Sequence, residues 1–253
     1  MLESPLYATN RIAATADQEG DLEVKNLLLK PFRSSRDLES YFADRVAARQ
    51  IRDRRHAVRI AVIDDQPFAP QANLNAYHYN IRPVGDIRSV DQIKDYDLIL
   101  CDILGVGLSF NDSLQGASLI AEIKRVYPEK WVVAYTGATL NQSATREAKS
   151  VADALIKKDV DIKEWVDKLD NYIDLILDPQ MVWSRVRSDL VNRGVGTKDI
   201  LLLEDAFVSS ILRSRPDPAA LSDALDRTKL SGDARNIITG LISSAIYSFV
   251  SGQ

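Results

Sequence analysis

The sequence predicts an α/β protein: a doubly wound, five-stranded parallel sheet with an N-terminal helical extension and a C-terminal helical bundle. Three observations carry this. Between residues 57 and 178, short apolar runs alternate with helical patterns. Those runs are nearly continuous in Val, Ile and Leu, as strands covered on both faces require. Beyond residue 178 no strand pattern occurs.

The elements follow in order. Residues 1–56 form the extension, readable only from "SSRDLESYFADRVAARQIRDRR", where Leu38, Tyr41, Phe42, Val46 and Ile51 recur near helical spacing behind a Ser34-to-Asp37 capping pattern. An amphipathic helix over 35–54 is expected. In 57–178 the strands are "VRIAVID", "YNIRPV", "YDLILCD", "KWVVAYT" and "ADALIKK", separated by the helical stretches "VDQIKDY", "GASLIAEIKRVYP", "NQSATREAKSVA" and "DIKEWVDKLDNYIDLIL". Between the first two strands, "QPFAPQANLNAYH" is too short and proline-interrupted for a full helix. One sheet face is therefore left partly open, to be covered by the extension or by the bundle. Residues 179–253 read as four helices punctuated by Pro or Gly.

Composition narrows the chemistry. Residues 1–56 carry 10 basic and 9 acidic side chains and residues 179–253 carry 9 and 8, so the middle holds 13 against 19, a local charge of −6. No region has the basic excess of a nucleic-acid face. The Arg-rich "RVAARQIRDRRHAVR" is the local exception, and it reads as a solvated helix face. No apolar run approaches a membrane span, and the N-terminus lacks the layout of a signal peptide, so a cytoplasmic location is expected. With 1 Cys and 2 His, carboxylates are the abundant ligands, which favours a hard cation. Cys101 reads as a small buried hydrophobe.

Function in such a sheet gathers at the carboxyl ends of the strands. There "VRIAVIDDQPF" poses a problem, because a buried run ends in two adjacent carboxylates that demand solvent or a cation. Collecting strand ends places Asp64 and Asp65, Asp102, Thr136 and Lys158 on one edge. Lys157 is the competing lysine, turned to the other face by alternation.

In "VIDDQ", "LILCD", "AYTG" and "LIKKD" the sequence resembles the receiver domain of two-component response regulators over about half the chain. The resemblance implies a flavodoxin-like receiver fold for 57–178 and a signalling role. Asp102 would be the phospho-acceptor, with Asp65, Asp102 and the backbone carbonyl of Leu104 on Mg2+ and Asp64 on a metal-bound water. Lys158 and Thr136 would hold phosphoryl oxygens. Implied partners are a histidine kinase or phosphotransfer protein and a downstream protein bound through the helical flanks; no enzymatic activity beyond self-dephosphorylation is expected. Departures are present. Leu155 stands where an aromatic switch residue is usual, Asp159 replaces a common proline, and the loop 103–116 is longer than typical and expected to cover the site.

Two other classes compete. A haloacid-dehalogenase-like phosphatase also uses Asp, Thr and Lys, but "CDILGVG" lacks the second Asp two residues after the first, and the acidic pair precedes the nucleophile. A receiver-like scaffold that never turns over phosphate is the other. Finally, Ile237, Ile238, Leu241, Ile242, Ala245, Ile246, Phe249 and Val250 fill nearly half the circumference of one C-terminal helix. A surplus of apolar surface, and hence a homodimer, is expected.

Overall fold

The structure, a computed structural model, describes residues 32–111, 113–137, 143–213 and 217–251. The expected strands all form: β1 Arg59–Ile63, β2 Asn80–Pro83, β3 Leu98–Asp102, β4 Trp131–Thr136 and β5 Ala154–Lys157. They pair in parallel in the order β2-β1-β3-β4-β5. That order reverses direction between β1 and β3, which opens a crevice beyond their carboxyl ends.

Ten α-helices accompany the sheet in the described residues. Within the sheet region they are α2 Gln71–Ala76, α3 Gly116–Val126, α4 Ser143–Val151 and α5 Ile162–Leu177. The expected helix at "VDQIKDY" is reduced to one tight turn, Val90–Ile93, which still buries Val90 and Ile93. That turn joins α3 and α4 over one face, on a core that includes Ile63, Ile99, Cys101, Ile120 and Ala134. Cys101 is fully buried there, as a small hydrophobe should be.

The opposite face has α5, whose Trp165, Leu169, Tyr172 and Ile173 lie on Ile60, Val62, Leu100 and Val133. Only six residues of α2 help, contributing Leu74. The remaining gap is filled from both ends of the chain: Val46 enters from the extension and Ala245 and Phe249 from the last helix. The open face foreseen in the sequence is thus covered by both candidates together.

The extension departs from a single helix. It runs as a tight turn at Ser35–Leu38, a wide turn at Phe42–Val46, and α1, Ile51–Ala57. The Asp37 carboxylate does accept the Ser34 N–H at 2.8 Å, the contact that the capping pattern forecast. Continuity fails because Leu38 belongs to the core of the C-terminal helices while Val46 belongs to the sheet core. A straight amphipathic stripe cannot serve two cores.

The Arg-rich stretch is partly solvated, with Arg45 and Arg52 exposed, and partly docked. Arg55 makes a paired contact with Asp170 of α5 at 2.8 and 2.6 Å, Arg54 meets Asp174, and Arg59 grips Asp97 at 3.0 Å. Arg49 donates to the Phe249 carbonyl at 2.7 Å. These four guanidiniums are committed to the chain's own carboxylates and carbonyls.

The C-terminal region comprises α6 Pro179–Asn192, α7 Thr197–Ile211, α8 Ala219–Arg227, α9 Gly232–Ile242 and α10 Ala245–Ser251. The last predicted helix is therefore two. Ser243 and Ser244 hydroxyls bond back to the carbonyls of Thr239 and Leu241 at 3.1 and 2.6 Å, and the Asp97 carboxylate accepts the Ala245 N–H at 2.9 Å to start α10. The break turns Ile237, Ile238 and Leu241 into the bundle and Ala245 and Phe249 onto the sheet. Seven of the eight side chains offered as surplus surface are buried and Ile242 is partly so, which removes that argument for a homodimer. From Phe32 onward the chain packs as one compact unit, and no described helix is long and apolar enough to cross a membrane.

Candidate functional site

The crevice beyond β1 and β3 holds Asp64, Asp65, Asp102 and Lys158, and strand parity explains how. Val62, Leu100, Val133 and Ile156 all face α5. Two residues on from each come Asp64, Asp102, Tyr135 and Lys158, so these four share a side of the sheet at its carboxyl edge. Register sets the level, since Ile63 pairs with Cys101 and Asp102 with Tyr135.

Lys158 lies at the centre. Its Nζ donates to Asp102 Oδ2 at 2.7 Å and to Asp64 Oδ2 at 2.9 Å. Lys157, one residue earlier, is exposed. Asp102 also accepts the Ile103 N–H at 2.7 Å through Oδ1, with the Leu104 N–H farther off at 3.5 Å. Asp64 accepts the Gln66 N–H at 2.8 Å and the Tyr135 hydroxyl at 2.5 Å. Thr136 is buried at the end of β4, and its carbonyl accepts the Lys158 N–H at 3.0 Å. Asp65 is exposed, with the Gln66 side-chain amide 3.2 Å away.

Burial pushes the Asp102 carboxyl above its ordinary range, against the pull of Lys158. Burial acts upward on Asp64 as well, but the Tyr135 and Lys158 hydrogen bonds outweigh it and hold that carboxyl low. Desolvation lowers Lys158, and its bonds to Asp102 and Asp64 more than restore it, so it stays firmly protonated. Tyr135 is driven far up by burial and by Asp64, which keeps it a neutral donor.

Asp64, Asp65 and Asp102 offer oxygens within 4.8 Å of one another. Against three carboxylates the site sets one ammonium, leaving it two charges short of neutrality in a half-buried crevice. Hard oxygen donors with an unbalanced negative charge suit a hard divalent cation. Leu104 follows Asp102 by two residues in the loop that runs across this edge.

That loop is packed. Ile103 and Val106 are fully buried, the Gly105 N–H donates to Gln115 Oε1 at 2.9 Å, and the Gly107 N–H donates to Asp86 at 2.8 Å. Gly105, at φ +82°, approaches Asp65 so closely that a Cβ there would sit 2.7 Å from its carboxylate oxygen. The loop borders the acidic site at Gly105 but leaves Asp65 exposed, so it does not cover the site as its length led one to expect.

Sequence reasoning missed the Tyr135 hydroxyl and the two glutamines, Gln66 and Gln115. A tyrosine inside an apolar strand reads as core, and only parity combined with register would have set it beside Asp64.

No family model and no curated protein matches the chain. Among solved structures it is similar to the receiver domain of NtrX from Brucella abortus, with 24% identity over 46% of this chain and 98% of that one and a TM-score of 0.38. A CheY-like receiver domain protein from Methanospirillum hungatei gives 22%, 47%, 95% and 0.37 for the same measures. A Burkholderia pseudomallei response regulator, solved with a phosphorylated aspartic acid, calcium and citrate, gives 16%, 72%, 97% and 0.37. The 2-1-3-4-5 strand order, with helices on both faces, gives residues 57–178 of this chain a doubly wound, flavodoxin-like fold.

Proposed function

We propose that the chain is a cytoplasmic, phosphorylation-controlled signalling protein in which Asp102 accepts a phosphoryl group from a histidine kinase or phosphotransfer protein. The observation that carries this reading is the Lys158 ammonium bridging Asp102 and Asp64, with Asp65 alongside, at the carboxyl edge of a 2-1-3-4-5 sheet. Carboxylate attack on phosphorus is a matter of alignment and charge neutralisation. The Ile103 N–H fixes the rotamer of Asp102, leaving Oδ2 toward Lys158. A new O–P bond forms at Asp102 as the donor's P–N or P–O bond breaks, and the leaving group departs with its electron pair. Lys158, released from Asp102 by that event, turns one N–H to a phosphoryl oxygen, and Thr136 donates its hydroxyl to another.

Asp65, Asp102 and the Leu104 carbonyl would hold Mg2+, with Asp64 on its water shell. The ion supplies charge neutralisation for the incoming phosphoryl group. The chain's output is then altered contact between its helical flanks and a protein partner, with no catalysis beyond self-dephosphorylation.

Incubation with acetyl phosphate and Mg2+ tests the reading. Wild type should be labelled on Asp102, and Asp102→Asn, whose amide is no nucleophile, should not be. Undiminished labelling of that variant removes the assignment. Turnover of small phosphomonoesters would instead favour the phosphatase class, and complete inertness the scaffold.

A further inference from the structure

We propose that Tyr135 is the positioning residue of this site, holding Asp64 and Lys158 in the arrangement that receives the cation and the phosphoryl group. The inference rests on the phospho-acceptor reading above. Tyr135 touches both partners with different parts of one side chain. Its hydroxyl donates to Asp64 Oδ2 at 2.5 Å, and its ring lies 5.0 Å from the Lys158 ammonium, within cation–π range.

The acceptor inventory shows what the hydroxyl does. A carboxylate has about four lone-pair sites. On Asp64, Oδ2 takes the Tyr135 hydroxyl and the Lys158 ammonium, and Oδ1 takes the Gln66 N–H. A single direction remains, so Asp64 has one orientation and one way to act on a metal-bound water. Without the phenol, Oδ2 is free to rotate or to draw Lys158 onto itself and away from Asp102. A residue that works through a water is governed by its position, so that freedom costs affinity.

Tyr135 can impose this geometry because it cannot move. Its ring meets Phe68 and Trp165 edge-on at 5.7 and 6.2 Å, and those two meet each other at 5.4 Å and 89°. A closed triangle of rings beneath a buried phenol is a rigid mount. It needs no switch aromatic at Leu155 and stands on the opposite side of the sheet from the Ala134 and Ile99 core.

The test is a double-mutant cycle on the full chain with Mn2+ as the probe, free ion being counted by electron paramagnetic resonance. Tyr135→Phe keeps the ring triangle and should retain the wild-type far-ultraviolet circular dichroism and a urea midpoint close to that of wild type. It should weaken Mn2+ binding about tenfold, the loss of one charge-assisted hydrogen bond, and slow labelling by acetyl phosphate. In an Asp64→Asn background the same change should alter Mn2+ affinity by less than about twofold, because the residue acts through Asp64. Equal Mn2+ binding by Tyr135→Phe and wild type, or effects that multiply across the cycle, would overturn the positioning role while leaving the phospho-acceptor reading standing. A wild type that takes up neither Mn2+ nor phosphate overturns both.

Discussion

Lys158 carries more of this molecule than its modest exposure suggests. Its ammonium separates two carboxylates whose side chains are 4% and 7% exposed. Replacing it with alanine leaves those charges facing each other, at a cost of about 2 kcal/mol after allowance for the lysine's partial solvation. Mg2+ should then raise the melting temperature of Lys158→Ala more than that of wild type; a smaller rise would contradict the charge imbalance. Glu129 poses the opposite case at the far edge of the sheet. Both of its carboxylate oxygens are buried without a hydrogen bond, and Lys130 Nζ stands off at 3.9 Å. Burial lifts its pKa to about 7 despite Lys130, Lys124 and Arg185 nearby. A carboxyl that ionises near 4.5 unfolded but near 7 folded withdraws stability as pH rises through that window, and the penalty is complete above 7. Glu129→Gln should therefore exceed wild type by on the order of 3 kcal/mol at pH 8, with the gap closing by pH 4.5. Urea unfolding at the two pH values measures it.

The loop after β3 and the start of α3 are built against the site through two glycines. At Gly116 a Cβ would sit 2.0 Å from the Asp102 carbonyl oxygen, a backbone atom that cannot yield. Gly116→Ala should cost roughly 3 kcal/mol, read by denaturant unfolding. Gly105→Ala should leave the fold in place but weaken cation uptake, because its methyl would press on the Asp65 carboxylate and its φ of +82° would be strained. Elements also mark the boundary of what the sequence could tell. All the strands were legible, because short runs rich in Val, Ile and Leu alternate with longer helical patterns, and their length, four to six residues, is that of strands rather than helices. Asp64, Asp65, Asp102, Thr136 and Lys158 followed from where those strands stop. Helix breaks were not legible: periodicity reports that a face is apolar, not which core receives it, so Leu38 and Val46 looked like one stripe. The division at Ser243 and Ser244 depends on Asp97, which caps Ala245 from 148 positions away in sequence, and no local pattern contains it.

At the scale of the whole molecule the sheet and its flanks share a core. The α5 face of the sheet region is completed by Val46, Ala245 and Phe249, and that region's own Asp97 binds Arg59 and caps α10 of the C-terminal region. A fragment of residues 58–178 would expose part of that core. It should be markedly less stable than residues 32–253 in urea unfolding, and equal stability would show that the flanks are ornaments to the sheet. The comparison also bears on output, because the helices that would carry a signal are the ones the sheet needs for its own integrity.

Leu38 and Val46 lie eight residues apart in the chain, one anchored among the C-terminal helices and the other in the sheet. The short strap between them joins the two cores, as α10 also does with Ala245 and Phe249 in one and Ile246 and Tyr247 in the other, and Tyr41 touches both. Heating should accordingly give one calorimetric transition whose van't Hoff and measured enthalpies agree. Leu38→Ala, which opens a cavity beneath one end of the strap, should move that single peak several degrees lower without splitting it, because α10 still fastens one core to the other.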